Sequence, residues 1–293
     1  MMPRLTFAVP VFNGERYLAD ALESILAQTA GDFELLIGDN ASTDGTLRIC
    51  ETLASRDERI RIVRSEMNRG AAWNYNRLVE LAGGEFFKWH PHDDLLAPPF
   101  AARCLERLQA HPDEVLCYPG TQVINERGEA THDDPDDALP VRHPNPAGRL
   151  SEYFRASFQH RSCNAVLGII RTSTLRQTRL IGSYAGSDKV LLAELALLGR
   201  FHQLPETLFF RRAHEGSSVA ATPDPSLRDR WFDTSARRKG HFVHWKWFAE
   251  YVRAIHHVPL SLPERLRAER VMLEYWGLHK PRLKQELKGF LIR

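Results

Sequence analysis

The chain has little of what several protein classes require. Its 293 residues include four cysteines, Cys50, Cys104, Cys117 and Cys163, with no pair at C-x-x-C spacing. A thiol redox motif and a cysteine zinc site are thereby disfavoured, and the four read as small core residues of a protein in a reducing compartment. No run of eighteen apolar residues occurs, so no spanning helix is expected. The opening MMPRLTFAVPVFNG has a short apolar run broken by Pro10, without the longer hydrophobic segment and small-residue cleavage site of a secretory leader. A cytoplasmic protein is expected, with attachment to the inner face of a membrane left open. Charge of one sign is also missing. The 39 Lys+Arg nearly balance 37 Asp+Glu, leaving +2, which removes the global case for nucleic-acid binding. Neither G-x-G-x-x-G nor G-x-x-x-x-G-K-[ST] is present, so a dinucleotide loop and a phosphate-loop NTPase both fail.

What is present is an ordinary soluble composition, 43% hydrophobic and 26% charged. The first hundred residues alternate between two periods. Leu5 to Val11, Phe33 to Gly38, Ile60 to Val63 and Glu85 to Trp89 are short apolar runs suited to buried strands. Between them, Leu18, Ala21, Leu22, Ile25 and then Leu47, Cys50, Leu53 recur at helical spacing. A helix follows Pro98 to Gln109, and Val115 to Tyr118 reads as a fifth strand. Strand–helix alternation predicts an α/β fold with a mostly parallel, Rossmann-like central sheet flanked by helices. Asp188 to Leu198 predicts a helix and Glu206 to Arg212 a strand. From about Pro225 onward helices are expected, broken near Pro259, Pro263 and Pro281.

In such sheets ligands sit beyond the carboxyl ends of the strands, which here are polar. Asp39 closes an apolar strand and should meet solvent or a partner; Ser42, Thr43 and Asp44 are explained by capping alone. His92-Asp93-Asp94 follows the fourth strand. Two adjacent carboxylates repel unless something offsets them, and hard oxygen donors suit Mg²⁺ or Mn²⁺; an exposed acidic turn is the plain alternative. Asp188 opens a helix, where an aspartate is most often a cap, although a general base would need the same reach. Arg212 and His214 follow a strand and could contact phosphate or metal. The DDPDD run from Asp133 to Asp137 reads as a solvated loop, since it lacks EF-hand spacing.

Together these segments resemble glycosyltransferase family 2, which uses the GT-A nucleotide-sugar fold. VPVFNGERYLADALESILAQT is similar to that family's start, and IGDNASTDGT to its V-D-D-G-S-x-D element. NRGAAWNYNR is similar to its N-x-G segment, FFKWHPHDDLLAP to its D-x-D region, and SDKVLLAELALLGRFHQLPETLFFRRAHEGSSV to its E-D-x-x-L and R-x-H elements. The resemblance implies a GT-A catalytic domain over residues 1–220, its nucleotide-binding half at about 1–120 and its acceptor half at about 121–220. A helical C-terminal extension would fill 221–293. It implies Pro10, Phe12 and Glu15 at the base pocket, Asp39 on the base, Asn68 and Arg69 toward nucleotide and sugar, and Asp93 near ribose or donor sugar. It further implies Asp94 and His214 as metal ligands for Mg²⁺ or Mn²⁺, Arg212 near the diphosphate, and Asp188 as catalytic base. The chain departs from the pattern at Asn40, where the family has Asp, and at Ser187, where it has Glu. Glu194 falls near a usual arginine, and the QxxRW element of processive members is missing.

The implied activity is inverting transfer of one sugar from a UDP-, dTDP- or GDP-type donor to a glycan or lipid-linked acceptor hydroxyl, in bacterial surface-polysaccharide or other glycan assembly. Nucleotidyl transfer is disfavoured, because Val9 to Glu15 has one glycine and no lysine. A non-catalytic carbohydrate-binding module derived from the fold is the alternative that Asn40 and Ser187 keep open. Residues 261–293 are basic and interspersed with leucines. Helices packed on the catalytic domain or on a second subunit are the preferred reading, ahead of a peripheral membrane contact.

Overall fold

A computed structural model describes residues 3–134, 138–159, 164–216, 230–235 and 243–291. Cys163, the Asp136–Asp137 part of the acidic run, His241 and Phe242 lie outside the described residues. The first half runs β1 (Leu5–Val11), α1 (Leu18–Leu26), β2 (Phe33–Asp39), α2 (Thr46–Ala54), β3 (Ile60–Arg64), α3 (Ala71–Leu81), β4 (Phe86–Trp89), β5 (Leu95–Leu96) and α4 (Phe100–Ala110). The second half runs β6 (Glu114–Ile124), β7 (Ala130–Asp133), α5 (Pro146–Gln159), β8 (Ile169–Arg171), α6 (Thr172–Leu175), α7 (Ser187–Leu198), β9 (Arg200–Arg212), α8 (Val243–His257) and α9 (Leu262–Leu291).

One sheet carries the order β3-β2-β1-β4-β8-β6-β9-β5, with β7 on β6. The expected parallel pairing holds across β3-β2-β1-β4 and returns at β6-β9. Between them β8 runs antiparallel to both β4 and β6, and β5 and β7 add further antiparallel pairs. The parallel pairs carry most of the register and the antiparallel ones are short, so the sheet is mostly parallel with antiparallel additions.

Strand alternation divides the core into two layers. Leu5, Phe7, Val9 and Val11 of β1, with Phe33, Leu35 and Ile37 of β2, face α1 and α4 through Leu18, Leu22, Ile25, Phe100 and Leu108. Ala8, Leu36, Phe87 and Trp89 face the other way, against α3, α5, α7, α8 and α9. α7 is buried nearly all round, from Val190 to Leu197, because α5 and α8 both pack on it. Pro263 sits at the second position of α9, where a missing N–H costs nothing, and Pro281 lies inside it. Neither breaks the helix as the sequence suggested; a break does occur near Pro259, between α8 and α9.

Candidate active site

Three stations of polar side chains stand at the sheet's polar edge. The first follows β1 and β2. Asp39 is fully buried; its Oδ1 accepts the Ser42 N–H at 3.0 Å. Its Oδ2 is buried, accepts no hydrogen bond among the described residues and forms a long ion pair with Arg64 Nε at 3.6 Å. A buried carboxylate oxygen without a hydrogen bond is costly, and a ligand N–H would satisfy it. The loop from β1 is laced to the loop from β2: Asn13 N–H donates to Ser42 Oγ, Gly14 N–H to Thr46 Oγ1, and Glu15 Oε2 accepts from Gly45 N–H. Pro10 is buried in β1, while the Phe12 ring is 43% exposed and free to meet a flat ligand.

Asn40 explains its own departure from the family pattern. Its Nδ2 donates to Asn68 Oδ1 (2.9 Å) and to the Gly70 carbonyl (3.2 Å), and its Oδ1 accepts from Arg69 N–H. A carboxylate there could not donate to two oxygens. Asn40 thus fixes the Asn68-Arg69-Gly70 turn, where Gly70 has φ +88° and a Cβ would meet the Phe232 carbonyl at 2.4 Å. Thr234 Oγ1 also donates to the Asn68 carbonyl. Beyond the turn, the Arg69 and Arg77 guanidiniums lie over the Trp73 ring, at 4.3 and 4.4 Å.

The second station follows β4. Asp94 is 4% exposed, and its Oδ1 accepts the Arg212 backbone N–H at 2.8 Å. Burial and the neighbouring Asp93 charge push its carboxyl well above the usual carboxylate range. Asp93 behaves oppositely. Burial opposes its charge, but His214 Nε2 at 2.9 Å and the nearby His92 more than offset this and hold it low. The Arg212 side chain is buried too. It donates to the Asp93, Asn125 and Glu126 carbonyls and lies over the Tyr17 ring, which also contacts the His214 ring. The structure thus brings Asp93, Asp94, Arg212 and His214 together. Among the described residues no group of three or more His, Cys, Asp or Glu side chains could hold a metal ion. Asp93 Oδ2 and His214 Nε2 are hydrogen-bonded to each other at 2.9 Å, and Asp94 Oδ1 is taken by the Arg212 N–H, so a cation seated here would have to replace one of these bonds.

The third station is the start of α7. Gly186 precedes it at φ +81°, against the Trp247 indole, whose Nε1 donates to the Ala185 carbonyl at 2.9 Å. Asp188 is half-buried in the first turn; its Oδ1 accepts the Lys189 N–H. Glu194, one face further on, is 1% exposed and binds Arg179 through Nε and the main-chain N–H. Arg179 continues to the Glu250 carboxylate and carbonyl on α8. Tyr75 on α3 links the stations: burial and the charges of Asp93, Asp94 and Asp188 all push its phenol up. Sequence reading passed over Tyr75 and Arg179. Tyr75 lies inside a motif already singled out; nothing in sequence spacing links Arg179 to Glu250.

A family model described as glycosyl transferase family 2 matches residues 6–169. Glycosyltransferase GlyG of Streptococcus pneumoniae is 28% identical over 116 residues, 40% of this chain and 38% of that protein. Chondroitin synthase of Escherichia coli is 30% identical over 127 residues, 43% of this chain and 18% of that protein. The chain spans less than half the length of the curated relatives it matches. Among solved structures, S. aureus TarS 1-349 in complex with UDP-GlcNAc superposes with TM-score 0.64 at 17% identity, over 94% of this chain and 72% of that one. Mannosyltransferase PcManGT from Pyrobaculum calidifontis, in complex with GDP-Man and Mn²⁺, gives 0.54 at 16% identity, over 98% and 85%. At these identities the likeness is one of fold, and the fold is GT-A.

Proposed function

Because the chain belongs to glycosyl transferase family 2, we propose that it moves one sugar from a nucleoside-diphosphate sugar to an acceptor hydroxyl, with inversion, in bacterial surface-polysaccharide or other glycan assembly. One arrangement carries the reading: Asp93, hydrogen-bonded to His214 after β4, and Asp188, half-buried in the first turn of α7, form two separate acidic stations. An inverting transfer needs this pairing, with leaving-group stabilisation on one side of the sugar and a base on the other.

Asp39 Oδ2, which has the Arg64 ion pair but no hydrogen bond, accepts a base N–H. Uracil, thymine and guanine each present a ring N–H, which fits UDP, dTDP or GDP donors. Pro10 and Phe12 line the base, Glu15 closes its edge, and Asn68 and Arg69 face nucleotide and sugar. The diphosphate lies toward Asp93, Arg212 and His214. Asp93 and His214 would hold Mg²⁺ or Mn²⁺, which when bound offsets charge on the departing diphosphate. Asp94 fixes the Arg212 main chain behind them. Asp188 takes the acceptor hydroxyl proton as that oxygen bonds to the anomeric carbon. The anomeric carbon–phosphate oxygen bond breaks, and its electron pair leaves with the nucleoside diphosphate.

A panel of UDP-, dTDP- and GDP-sugars, assayed with simple glycan and lipid-linked acceptors, tests the reading. Transfer from one donor class, with an inverted anomeric configuration by NMR, is expected. Retained configuration would overturn the mechanism. Absence of nucleotide binding by calorimetry, with and without Mn²⁺, would overturn the enzymatic reading itself.

A further inference from the structure

Where β6 and β9 begin, the protein holds an open cavity of about 430 Å³, the size of a small-ligand pocket. Arg107, Glu114, Arg142, Arg200, Phe201 and His202 line it. β6 and β9 run parallel, so this cavity and the Asp93–His214 station lie at opposite ends of the same two strands. The span of β9 from His202 to Arg212 is roughly 30 Å at strand rise.

Main-chain bonds fix the frame. Arg200 N–H donates to the Asp113 carbonyl and Phe201 N–H to the Val141 carbonyl, which hold the start of β6 and the segment before α5 against β9. Glu152 Oε2 accepts the Arg142 and His143 N–H groups at 2.7 and 2.8 Å and so fixes the Arg142 backbone.

Charge in the cavity is unbalanced: the guanidiniums of Arg107, Arg142 and Arg200 share it with the single carboxylate of Glu114. Glu114 is spent on Arg107, which donates to it through Nε at 2.8 Å and through Nη2. His202 Nδ1 lies 3.6 Å from the same carboxylate. Arg200 Nη1 donates to Asp113, which does not line the cavity. Arg142 is exposed, and its guanidinium meets no carboxylate among the described residues. Each guanidinium carries five N–H groups, so most of these donors are free for a ligand. The field at His202 has the matching sign. Burial and the charges of Arg107 and Arg142 hold its imidazole below the usual range, although Glu114 pulls the other way. A carboxylate occupies one guanidinium here, as Glu114 does. Three of them on one cavity suit a tetrahedral oxyanion, which offers more acceptor oxygens and fits the guanidinium fork.

We propose that this cavity binds a phosphate group, as the free ion or as a phosphate ester, between Arg107, Arg142 and Arg200 with His202 beside it. The site is separate from the nucleotide stations and stands whichever sugar the protein transfers.

Calorimetry of the full chain with inorganic phosphate and with glucose 6-phosphate, against sodium chloride at matched ionic strength, tests the assignment. Saturable binding is expected; the tighter of the two probes identifies the free ion or the ester as the ligand. Histidine-ring NMR should show the His202 signals moving during the titration. Arg142→Gln should weaken binding at least about tenfold, through loss of charge-assisted hydrogen bonds. The Arg142 side chain is exposed, so the melting temperature and nucleotide titration of this variant should match wild type. No saturable binding beyond the chloride control would overturn the proposal. So would phosphate that moves the His214 signals and leaves those of His202 in place, or an Arg142→Gln variant that binds like wild type.

Discussion

Lys88 offers a sharp test of the buried electrostatics beneath the candidate site. It lies fully buried on β4, and its Nζ donates to the Trp89 carbonyl at 3.0 Å. The rings of Phe100 and Phe209 approach at 4.9 and 5.3 Å. Burial pushes its ammonium from 10.5 down to about 7, against the favourable charge of Asp94. At about 1.4 kcal/mol per pH unit, that displacement corresponds to about 5 kcal/mol. Between about pH 7 and 10.5 the unfolded chain holds a proton that the folded chain has lost, so stability rises with pH. Integrated from pH 7 to 8.5, the gain is about 1.5 kcal/mol. Above pH 9 the opposing effect of Cys50, pushed up to about 12 by burial, enters, so the useful window ends below it. Lys88→Met keeps a similar volume and removes the charge. Urea unfolding followed by tryptophan fluorescence at four pH values should show the slope in wild type and none in the variant. The variant should also be more stable at pH 7, by about 1–4 kcal/mol. A flat wild-type profile over this window, or an unchanged slope in Lys88→Met, would refute the reasoning.

Asp188→Asn should cut transfer by about 10²–10⁴ while nucleotide titration is unchanged, because only the proton acceptor is lost. Trp247→Phe removes the hydrogen bond to Ala185 and keeps the ring. Transfer should fall about tenfold by loss of base alignment, nucleotide affinity should hold, and the loss should vanish on an Asp188→Asn background. Asn40→Asp sets a carboxylate against Asn68 Oδ1 and the Gly70 carbonyl. A stability loss of about 1–3 kcal/mol is expected by thermal melts. Asp93→Asn should abolish any gain in UDP, dTDP or GDP affinity produced by Mn²⁺, read by calorimetry.

The alternating half of the fold was legible because burial there is periodic. Leu5–Val11 begins and ends where its apolar run does, and Phe33, Ile60 and Phe86 each start or nearly start a strand. β6 and β9 ran longer than expected, to Ile124 and from Arg200, because they pair with each other along most of their length, across Pro119, Gly120 and Pro205, which interrupt the apolar runs in sequence. The antiparallel β8 was unreadable as such: Ile169–Arg171 is too short for a pattern to show direction. Strand ends pointed to the polar segments, and the structure gathers Asp93, Asp94, Arg212 and His214 from two of them. The difference between Asp93 and Asp94 was not legible. It depends on which carboxylate meets His214 and which the Arg212 amide, over a chain separation of more than a hundred residues. The Arg179–Glu194–Glu250 network is similarly a product of α8 packing on α7.

That network dictates where this chain can be cut and rejoined. Replacing the segment upstream of β4 with a homologous one leaves Trp247–Ala185 and Arg179–Glu250 intact. A splice anywhere in 217–242 keeps Asp188 and discards the helix that steadies it. α7 and α8 are separated by the whole of β9, yet they must travel as one discontinuous block. Chimeras that carry α7 would have to carry α8 with it, while the segment through the first three strands can be exchanged without touching either contact.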